Sequence, residues 1–490
     1  MKTDVVVVGA GFGGLSAAIL LARLGRKVTL VESAAHPGGC LRGYSREGVD
    51  CPVGVHYFGA AAPGEMLGDF IDMLGVRPAL KLRRLGGGGV IDRFVFDDEE
   101  IFDLPDTVEK FETGLRKRFS DAPDAVDFVM HVCHAAAASL RTDAAHAAPS
   151  ALPVTRSAFD VLTENGVPER LKDILSLHGF LLGLNLCDCP AAFLLVATAS
   201  LLMSAWELGC TGVDMANALV HSALDVGVNL IAGDGVAAID VAGHGASGVR
   251  LESGTGIDAD VVVAAVHPKT MVGLIPKGAL PEEYRLGIGK LEETTGMLCA
   301  VALLDEKLHP AQDFNWFRLH GVPSQRPEGV YGQIRPTSLP GQTRLIALVE
   351  SHYEDWSAWR DTHTGRRGID YRAEKMRRAE KMIADLAAGI GPLHEPRVVD
   401  VWTPLTLRDW VAAPLGGAYG AMHSVKNGLS YLVLSRPPLD RLFLVGQSAL
   451  APGLLGVSMG VLRVASAIAG RQPVRELLTG SRRGPKEAPP

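Results

Sequence analysis

The amino-acid sequence predicts an α/β fold in which a Rossmann-like domain is assembled from discontinuous segments, with an α+β domain inserted between them. Two observations support this prediction. Strand–helix signals occur near both ends of the 490-residue chain, and the long region between them alternates short stretches of helical and strand periodicity. The length corresponds to about three domains.

The first predicted element is a β-α-β unit. Asp4–Val8 is a continuous apolar run, typical of a central parallel strand. The glycines that follow it are unfavourable for a signal-peptide helix, so we assign no signal. Leu15–Leu24 is rich in alanine and leucine and predicts a helix, and Lys27–Val31 predicts a second strand that ends at Glu32.

The remaining elements follow from the same periodicity arguments. In chain order they are a hairpin (Val90–Phe96, Glu100–Leu104), helices Thr107–Phe119 and Ala122–Leu140, a loop at Ala144–Pro153, helix Val213–Val226, strand Asn229–Ala232, a meander (Val236–Val241, Gly248–Leu251, Asp260–Val266), antiparallel strands Leu298–Leu304, Gly329–Arg335 and Leu345–Ser351, helix Asp370–Ala388, strand Leu442–Val445, helix Gly456–Ala469, and a polar tail, Ser481–Pro490.

These elements suggest a division into segments. We expect residues 1–83, 213–270 and 426–480 to form the dinucleotide-binding domain. Residues 84–212 and 271–425 would form the inserted substrate domain, and residues 481–490 a disordered tail.

The composition is that of a globular protein. Apolar residues make up 47% of the chain and charged residues 21%, which excludes a disordered chain, a collagen and a long coiled coil. The net charge of −7 gives no indication of a nucleic-acid partner, and we expect none. Seven cysteines without a regular spacing favour a reducing compartment, so we expect a cytoplasmic protein.

A glycine-rich turn joins the first strand to the first helix. Gly9, Gly11 and Gly14 form the pattern Gly-x-Gly-x-x-Gly, and Glu32 follows 18 residues after Gly14. In this motif the first glycine permits a tight turn, the second lets the backbone approach a pyrophosphate, and the third allows close helix–strand packing. Glu32 is suited to bind ribose hydroxyls and to repel a 2′-phosphate. The pattern therefore predicts dinucleotide binding.

Three further features favour FAD over NAD. Gly38-Gly39 follows Glu32 closely, the strand Asp260–Val266 leads into a turn, and Leu442–Gly446 would bring the C-terminal segment back to the same site. The sequence has no second complete glycine motif for a nicotinamide domain, although NAD(P)H as an external reductant stays open. No cysteine follows Cys299, so we expect the FAD to be bound non-covalently.

Three stretches carry a family resemblance, strong at the two chain ends and weak between them. They are Val5–Gly14 with Glu32; Gly38-Gly39-Cys40 through Gly54-Val55-His56-Tyr57-Phe58-Gly59; and Thr403–Thr406 through Ala412-Ala413-Pro414, Tyr419-Gly420 and His423 to Leu442–Gly446 and Pro452–Val457. Together they resemble the phytoene desaturase-like branch of the FAD-dependent amine oxidase superfamily, and within it the retinol saturase and carotenoid isomerase group. The resemblance implies an FAD-binding domain of the glutathione reductase type.

The resemblance also implies a set of cofactor-binding residues. Gly38, Gly39 and Arg42 would line the pyrophosphate and flavin, Val236 would contact the adenine, and Pro452–Val457 would lie by the isoalloxazine ring. The full set is Gly9, Gly11, Phe12, Gly13, Gly14, Glu32, Ser33, Gly38, Gly39, Arg42, Val55, His56, Val236, Gly446, Gln447, Gly456 and Val457.

The sequence departs from the family pattern at three places. Asp50–Gly54 differs from the usual residues before the Gly-x-His-Tyr stretch, Gln447 replaces an acid, and residues 210–214 lack a Pro-x-Gly-Gly motif. These departures leave the FAD prediction in place and the identity of the substrate open.

His56 and Tyr57 are the first catalytic candidates, because the resemblance places them near the flavin and histidine exchanges protons near neutral pH. Tyr419 and His423 form a second pair in a glycine-rich loop. Packing around the flavin is the alternative explanation for all four. No group of residues has the spacing of a metal site, and we predict none.

The resemblance implies an FAD-dependent oxidoreductase that acts on carbon–carbon bonds of an apolar, polyene or isoprenoid-like substrate by hydride transfer at flavin N5. Desaturation, saturation and cis–trans isomerisation share this chemistry and stay open. The alternatives are an FAD-dependent amine oxidase or dehydrogenase, and a non-catalytic FAD-containing partner of a biosynthetic complex. The sequence does not predict the oligomeric state.

The most apolar stretch, Gly179–Trp206, has three interpretations: a core helix, the lining of a substrate tunnel, or a membrane contact. Phe193, Leu201 and Met203 are candidates for the tunnel wall. Basic residues at Arg366-Arg367 and on the helix Asp370–Ala388 predict a solvated face, with a peripheral membrane contact as the alternative.

Overall fold

A computed structural model describes residues 2–141, 154–322, 328–427 and 434–480. The predicted loop Ala144–Pro153 and tail Ser481–Pro490 lie outside these ranges. The strands are β1 Lys2–Val8, β2 Val28–Glu32, β3 Gly43–Arg46, β4 Val49–Pro52, β5 Phe58–Gly59, β6 Arg83–Arg84, β7 Val90–Val95, β8 Ile101–Pro105, β9 Ala205–Glu207, β10 Asn229–Ala232, β11 Val236–Ala242, β12 Gly245–Leu251, β13 Gly256–Ala264, β14 Gly296–Asp305, β15 Asn315–His320, β16 Glu328–Pro336, β17 Gln342–Ser351, β18 Arg397–Trp402 and β19 Leu442–Leu444.

The helices confirm most of the predicted ranges to within a few residues. They are α1 Phe12–Arg23, α2 Met66–Leu74, α3 Arg77–Leu80, α4 Val108–Arg118, α5 Pro123–Arg141, α6 Ala158–Glu164, α7 Glu169–Phe180, α8 Ala191–Met203, α9 Gly212–Asp225, α10 Pro268–Leu274, α11 Glu282–Gly289, α12 Gly368–Ile390, α13 Pro404–Val411, α14 Gly453–Ala469 and α15 Arg471–Gly480.

The first large sheet contains the N-terminal β-α-β unit. Its parallel strands lie in the order β10–β2–β1–β13–β19. The start of β13 also pairs with β12, which pairs with β11, as an antiparallel meander. Strands from 1–83, 213–270 and 426–480 therefore share one sheet of Rossmann type. The exact domain boundaries stay a prediction.

β1 is buried on both faces, which explains its continuous valine run. Val5 and Val7 pack in one core with α1 and α14. Val6 and Val8 pack in another core with the meander strands and α10. All four valines are at most 4% exposed.

The second large sheet has the order β18–β14–β17–β16–β15–β7–β8 and is antiparallel except between β15 and β7. Helix α12 packs on one face, with Ile383 and Leu386 in its core. Helices α4 to α8 contribute to the core on the other face, with Cys299 and Val301 of β14. Strand β15 does not follow from the sequence pattern because one of its buried positions is the polar Asn315.

A small sheet of three strands, in the order β5–β9–β6, pairs segments that are far apart in the chain. Phe58 of β5 pairs with Trp206 of β9, and β9 pairs with Arg83 and Arg84 of β6. The His56-Tyr57 pair lies directly before β5, so this sheet brings it to the strand that follows α8. Since α8 lies in the most apolar stretch, the two predicted features meet here.

The stretch Gly179–Trp206 comprises the end of α7, a loop, α8 and the start of β9. In the part of the chain that the structure describes, no helix is both long and apolar enough to cross a membrane. Leu194 and Leu202 are fully buried, so a large part of α8 is core.

The predicted basic face needs one correction. Arg366, Arg377 and Lys381 are exposed, but Arg367 is 8% exposed. Its guanidinium forms an ion pair with Asp409 and lies 5.1 Å from the centre of the Tyr371 ring. Arg367 therefore ties the start of α12 to α13, and the prediction that it is solvated is wrong.

We expect Gly14→Ala to destabilise the fold. A β-carbon on Gly14 would lie 1.8 Å from the carbonyl oxygen of Gly9, so α1 would have to move away from β1 at a cost of about 1–3 kcal/mol or more. Gly114 in α4 is the matched control, because nothing lies within 4 Å of its β-carbon position. Gly114→Ala should gain about 1 kcal/mol of helix propensity. A melting temperature of Gly14→Ala equal to that of the wild type would contradict this account.

Candidate functional site

One cavity of about 1440 Å³ extends from the first large sheet to the second. Its first part is lined by the glycine turn, the end of β2, the start of β11 and the segment after β19. Its other part is lined by α7, α8 and inward-facing residues of the second sheet. We call these the nucleotide arm and the apolar arm.

The turn before α1 leaves room in the nucleotide arm. Gly9 has φ 98°, a left-handed conformation that favours glycine. A β-carbon on Gly11 would meet only the Cα of Gly39, at 3.8 Å, among the described residues. No side chain caps the N-terminus of α1, so its first amides are available to an anionic ligand.

Glu32 lies at the end of β2 on the wall of the nucleotide arm. Its carboxylate accepts hydrogen bonds from the backbone N–H groups of Ala10, at 2.7 Å, and Ala34, at 2.9 Å. Arg42 lies 3.7 Å from the same carboxylate. Glu32 therefore also organises the turn, a role that the motif alone did not indicate.

Gly38 and Gly39 bring a second loop against the turn. The Gly38 N–H donates to the Ala10 carbonyl at 2.8 Å. A β-carbon on Gly39 would lie 3.0 Å from the Gly11 Cα. Arg42 lines the cavity, donates to the carbonyls of Trp410 and His36, and keeps a buried Nε that has no hydrogen-bond partner among the described residues.

The C-terminal segment closes the nucleotide arm. Gly446 has φ 111°, and no described residue lies within 4 Å of its β-carbon position. A β-carbon on Gly13 would lie 3.2 Å from both the Gly446 Cα and a Val457 methyl carbon. Helix α14 begins here, after Pro452, without a side-chain cap. Two uncapped helix N-termini therefore stand at one cavity.

Most of the predicted cofactor-binding residues line this cavity. They are Gly9, Gly11, Phe12, Gly13, Glu32, Ser33, Gly39, Arg42, Val55, His56, Val236, Gly446, Gln447, Gly456 and Val457. Gly14 and Gly38 stand behind the wall, where Gly14 packs against Gly9. The residues present fit a dinucleotide with FAD's pyrophosphate and ribose, because they offer free amides, side-chain-free space and an acid.

The apolar arm is built from helices α7 and α8 and from strands β14, β16 and β17. Its lining includes Phe180, Leu181, Leu182, Phe193, Val196, Leu201, Met297, Tyr331 and Leu348. None of these side chains is charged. Phe193 and Leu201 thus lie where a tunnel was predicted, whereas Met203 is 7% exposed and packs in the core around α1. Of the three candidates for the tunnel wall, Phe193 and Leu201 line the cavity and Met203 does not.

His56 faces the cavity between the two arms. Its ring centre lies 6.0 Å from that of Tyr331, and its Nδ1 has no hydrogen-bond partner among the described residues. Burial, with Arg344 and Arg335 nearby, lowers the pKa of His56 to about 4. The imidazole is therefore neutral at neutral pH, which differs from the near-neutral pKa expected of it.

Tyr57 lies beside His56 on the cavity wall. Its ring stacks on Tyr331, with 6.1 Å between the ring centres. Its hydroxyl donates to the carboxylate of Asp92 at 3.1 Å. Burial and the neighbouring Asp92 raise the pKa of Tyr57 well above its usual value.

The polar group behind Tyr57 does not follow from any motif. Asp92 of β7, Asn315 of β15 and Arg335 of β16 are at most 2% exposed and are linked by hydrogen bonds. Burial raises the pKa of Asp92 to about 7. The one sequence feature that could have indicated this group is a polar residue at an inward position of each strand. That feature can be interpreted only when the alignment of the three strands is known.

The structure separates the two members of the second predicted catalytic pair, Tyr419 and His423. Tyr419 lines the cavity, and burial raises its pKa. His423 does not line it. His423 is 4% exposed, its Nε2 lies 3.1 Å from the Gln447 carbonyl oxygen, and its ring packs edge-on to Phe193. The structure places His423 behind the wall, where it supports Gln447.

Three comparisons with known proteins agree with this geometry. Residues 7–74 match the model of the NAD(P)-binding Rossmann-like domain family. The chain is 24% identical over 535 residues to the all-trans-retinol 13,14-reductase of Macaca fascicularis, over 96% of this chain and 86% of that protein. It is 26% identical over 304 residues to the all-trans-zeta-carotene desaturase of Myxococcus xanthus, over 58% of this chain and 55% of that protein.

The fold is also that of a solved amine oxidase. A redesigned triple mutant of putrescine oxidase has a TM-score of 0.65 at 18% identity, over 96% of this chain and 99% of that one. This likeness shows the fold, while the similarity to the retinol reductase extends over nearly the whole sequence. In sequence the chain is similar to retinol reductases and carotenoid desaturases, and in fold to an amine oxidase, which supports the predicted resemblance to the phytoene desaturase-like, retinol saturase branch of the FAD-dependent amine oxidase superfamily.

Proposed function

We propose that this protein is an FAD-dependent oxidoreductase that saturates or desaturates carbon–carbon bonds of an apolar polyene. One observation carries the proposal: a single cavity joins a dinucleotide cradle to an arm lined by uncharged side chains. The named reactions of the retinol reductase and carotene desaturase relatives support the same chemistry. NAD(P)H as the external reductant remains part of the proposal.

The nucleotide arm would hold the cofactor. Amides at the starts of α1 and α14 would bind the pyrophosphate and the flavin, and Glu32 would bind the ribose. Bound FAD supplies hydride transfer at N5. The two helix N-termini favour negative charge next to them.

The apolar arm would bind and orient the substrate. An apolar chain gains roughly 25 cal/mol for each Å² buried there. Phe193 and Leu201 on one side and Tyr331 on the other would hold the reacting bond in a dry environment. Since the described residues of α7, α8 and the second sheet that line this arm carry no charge, it does not favour a cationic amine, and the amine oxidase alternative has less support.

A proton must also be exchanged with the substrate. Tyr57 is the best placed group, because its side chain lines the cavity and its hydroxyl contacts a buried carboxyl. His56 would act as a neutral hydrogen-bonding group, since its pKa is lowered to about 4. Tyr419 would shape the same region of the wall.

We expect turnover with an apolar polyene under anaerobic conditions. Purified protein with reduced flavin should saturate, and with oxidised flavin should desaturate, at least one member of a panel of retinoids and carotenoid precursors. Product analysis by chromatography distinguishes the two reactions and isomerisation. If neither flavin state reacts with any polyene but a panel of primary amines yields peroxide, the amine oxidase alternative replaces this proposal.

We expect Gly11→Val to abolish flavin retention without unfolding the protein. Gly11 has φ −75°, which any residue adopts, and its β-carbon position opens into the cavity, so valine would occupy the pyrophosphate space. Glu32→Ala should weaken flavin binding less, by about 1–3 kcal/mol for lost hydrogen bonds. Flavin absorbance and melting temperature are the readouts. Wild-type flavin content in Gly11→Val would disprove the assignment of the nucleotide arm.

We expect Phe193→Ala to change substrate preference while flavin content stays normal. Removing this wall residue should shift the ratio of kcat/KM between a longer and a shorter polyene by roughly tenfold. Leu194→Ala is the matched control, because Leu194 is fully buried in the core beside it and does not line the cavity. It should cost about 2–5 kcal/mol of stability and leave the ratio unchanged. An unchanged ratio in Phe193→Ala would place the substrate elsewhere.

A further inference from the structure

A buried polar network lies directly behind the wall of the apolar arm. Tyr57 and Tyr331 line the cavity, and behind them stand Asp92, Asn315 and Arg335 on three strands. The Tyr57 hydroxyl donates to Asp92 Oδ2 at 3.1 Å, and Asn315 Nδ2 donates to Asp92 Oδ1 at 2.7 Å. Packing does not require such a group here, because a polar cluster costs free energy to bury.

The orientation of Asn315 is fixed by its other contacts. Its Oδ1 accepts from Arg335 Nη2 at 2.6 Å and from the Tyr331 hydroxyl at 3.2 Å. Since that oxygen is occupied by donors, the amide nitrogen must point at Asp92. Asp92 therefore keeps one oxygen bound to Asn315 and the other facing Tyr57.

Asp92 forms no ion pair with any residue that the structure describes. Arg335, the cation that acts on it, is itself paired with Glu207, with 2.6 Å between Nε and Oε2. Glu207 is also paired with Arg83. Other titratable groups at this site include Tyr57 and Tyr331, with Tyr419 and His56 next to them. A buried carboxyl without its own cation favours the neutral, protonated form, in line with the raised pKa of Asp92.

We propose that Asp92 is a proton reservoir for the reaction and exchanges its proton with the substrate through the hydroxyl of Tyr57. The inference rests on the proposed function and adds a positioning and proton-supplying residue that does not touch the substrate. Tyr57 alone would be left as a buried phenolate beside an acid, which its raised pKa disfavours. Asp92 takes the negative charge instead, and Asn315 stabilises it.

Saturation of one double bond requires one hydride and one proton. One carbon of the double bond accepts a hydride from the reduced flavin, which supplies both electrons. When Asp92 is protonated, its Oδ2 carries the proton and donates to the Tyr57 oxygen, whereas ionised Asp92 accepts the hydrogen bond from the Tyr57 hydroxyl. The other carbon accepts the Tyr57 hydroxyl proton, the Tyr57 oxygen takes the Asp92 proton, and Asp92 becomes a carboxylate that regains a proton from water between turnovers. In desaturation every transfer runs in reverse, so Asp92 must begin ionised. Saturation should therefore slow as pH rises above about 7, while desaturation should quicken.

The test uses the flavin-loaded protein with Asp92→Asn, Tyr57→Phe and a control, Asp103→Asn. Asp103 lies on the adjacent strand, paired with Arg93 and outside the cavity wall. Asparagine at 92 can keep contacts with Tyr57 and Asn315 but carries no exchangeable acid proton. Flavin content and melting temperature establish that each variant is folded.

Two readouts are needed. Without substrate, the infrared carbonyl stretch of a protonated carboxyl should titrate near pH 7 in the wild type and in Asp103→Asn, and should be missing in Asp92→Asn. With the polyene, Asp92→Asn should lower the saturation rate by about 100-fold or more and remove the inflection near pH 7. Tyr57→Phe should lower the rate similarly while the infrared titration remains.

The outcomes separate the two proposals. No turnover of any polyene by the wild type at any pH overturns the proposed function and the proton transfer with it. Turnover whose rate and pH profile survive Asp92→Asn overturns the reservoir alone, as does an Asp92 carboxyl that titrates near its ordinary value of about 4. If Asp92→Asn fails to fold, a wild-type pH profile in Tyr57→Phe would likewise overturn the proposal that Asp92 is a proton reservoir.

Discussion

Gly13 leaves so little room between α1 and α14 that a β-carbon on it would lie 3.2 Å from both the Gly446 Cα and a Val457 methyl carbon. The rest of the site depends on this approach. It brings together chain segments separated by more than 400 residues and sets two uncapped helix N-termini side by side. The electrostatic character of the nucleotide arm follows, because each N-terminus presents unpaired amides and a positive dipole end.

The second constraint is that the nucleotide arm and the apolar arm belong to one cavity. Tyr57 precedes β5, which pairs with β9 directly after α8. The same short sheet therefore holds Tyr57 and the apolar helix at fixed positions relative to the nucleotide arm. His56 and Tyr57 stand at the junction of the two arms, and under the proposed function the flavin and the reacting carbon–carbon bond would meet there. Precise placement of reacting groups is most of what a protein adds to flavin chemistry.

The departures from the family pattern acquire a structural meaning. Gln447, which replaces an acid, lines the cavity, and His423 lies within hydrogen-bonding distance of its carbonyl behind the wall. A neutral amide at this position adds no negative charge to the wall of the cavity that would hold the cofactor. Asp50, in the stretch that differs before His56, is paired with Arg344. That arginine helps to lower the pKa of His56, which leaves the Tyr57–Asp92 pair as the proposed route for the proton.

The sequence by itself determined the β-α-β unit, the glycine turn, Glu32 and the return of the C-terminal segment, because these depend on local spacing and on backbone space that glycine alone leaves open. Tertiary structure decided the rest. Asp92, Asn315 and Arg335 are far apart in sequence and meet only when β7, β15 and β16 align. Burial then set their ionisation, turned Arg367 inward, and placed His423 and Met203 behind the cavity wall. Burial and long-range strand pairing are properties of the folded chain, and no local pattern contains them.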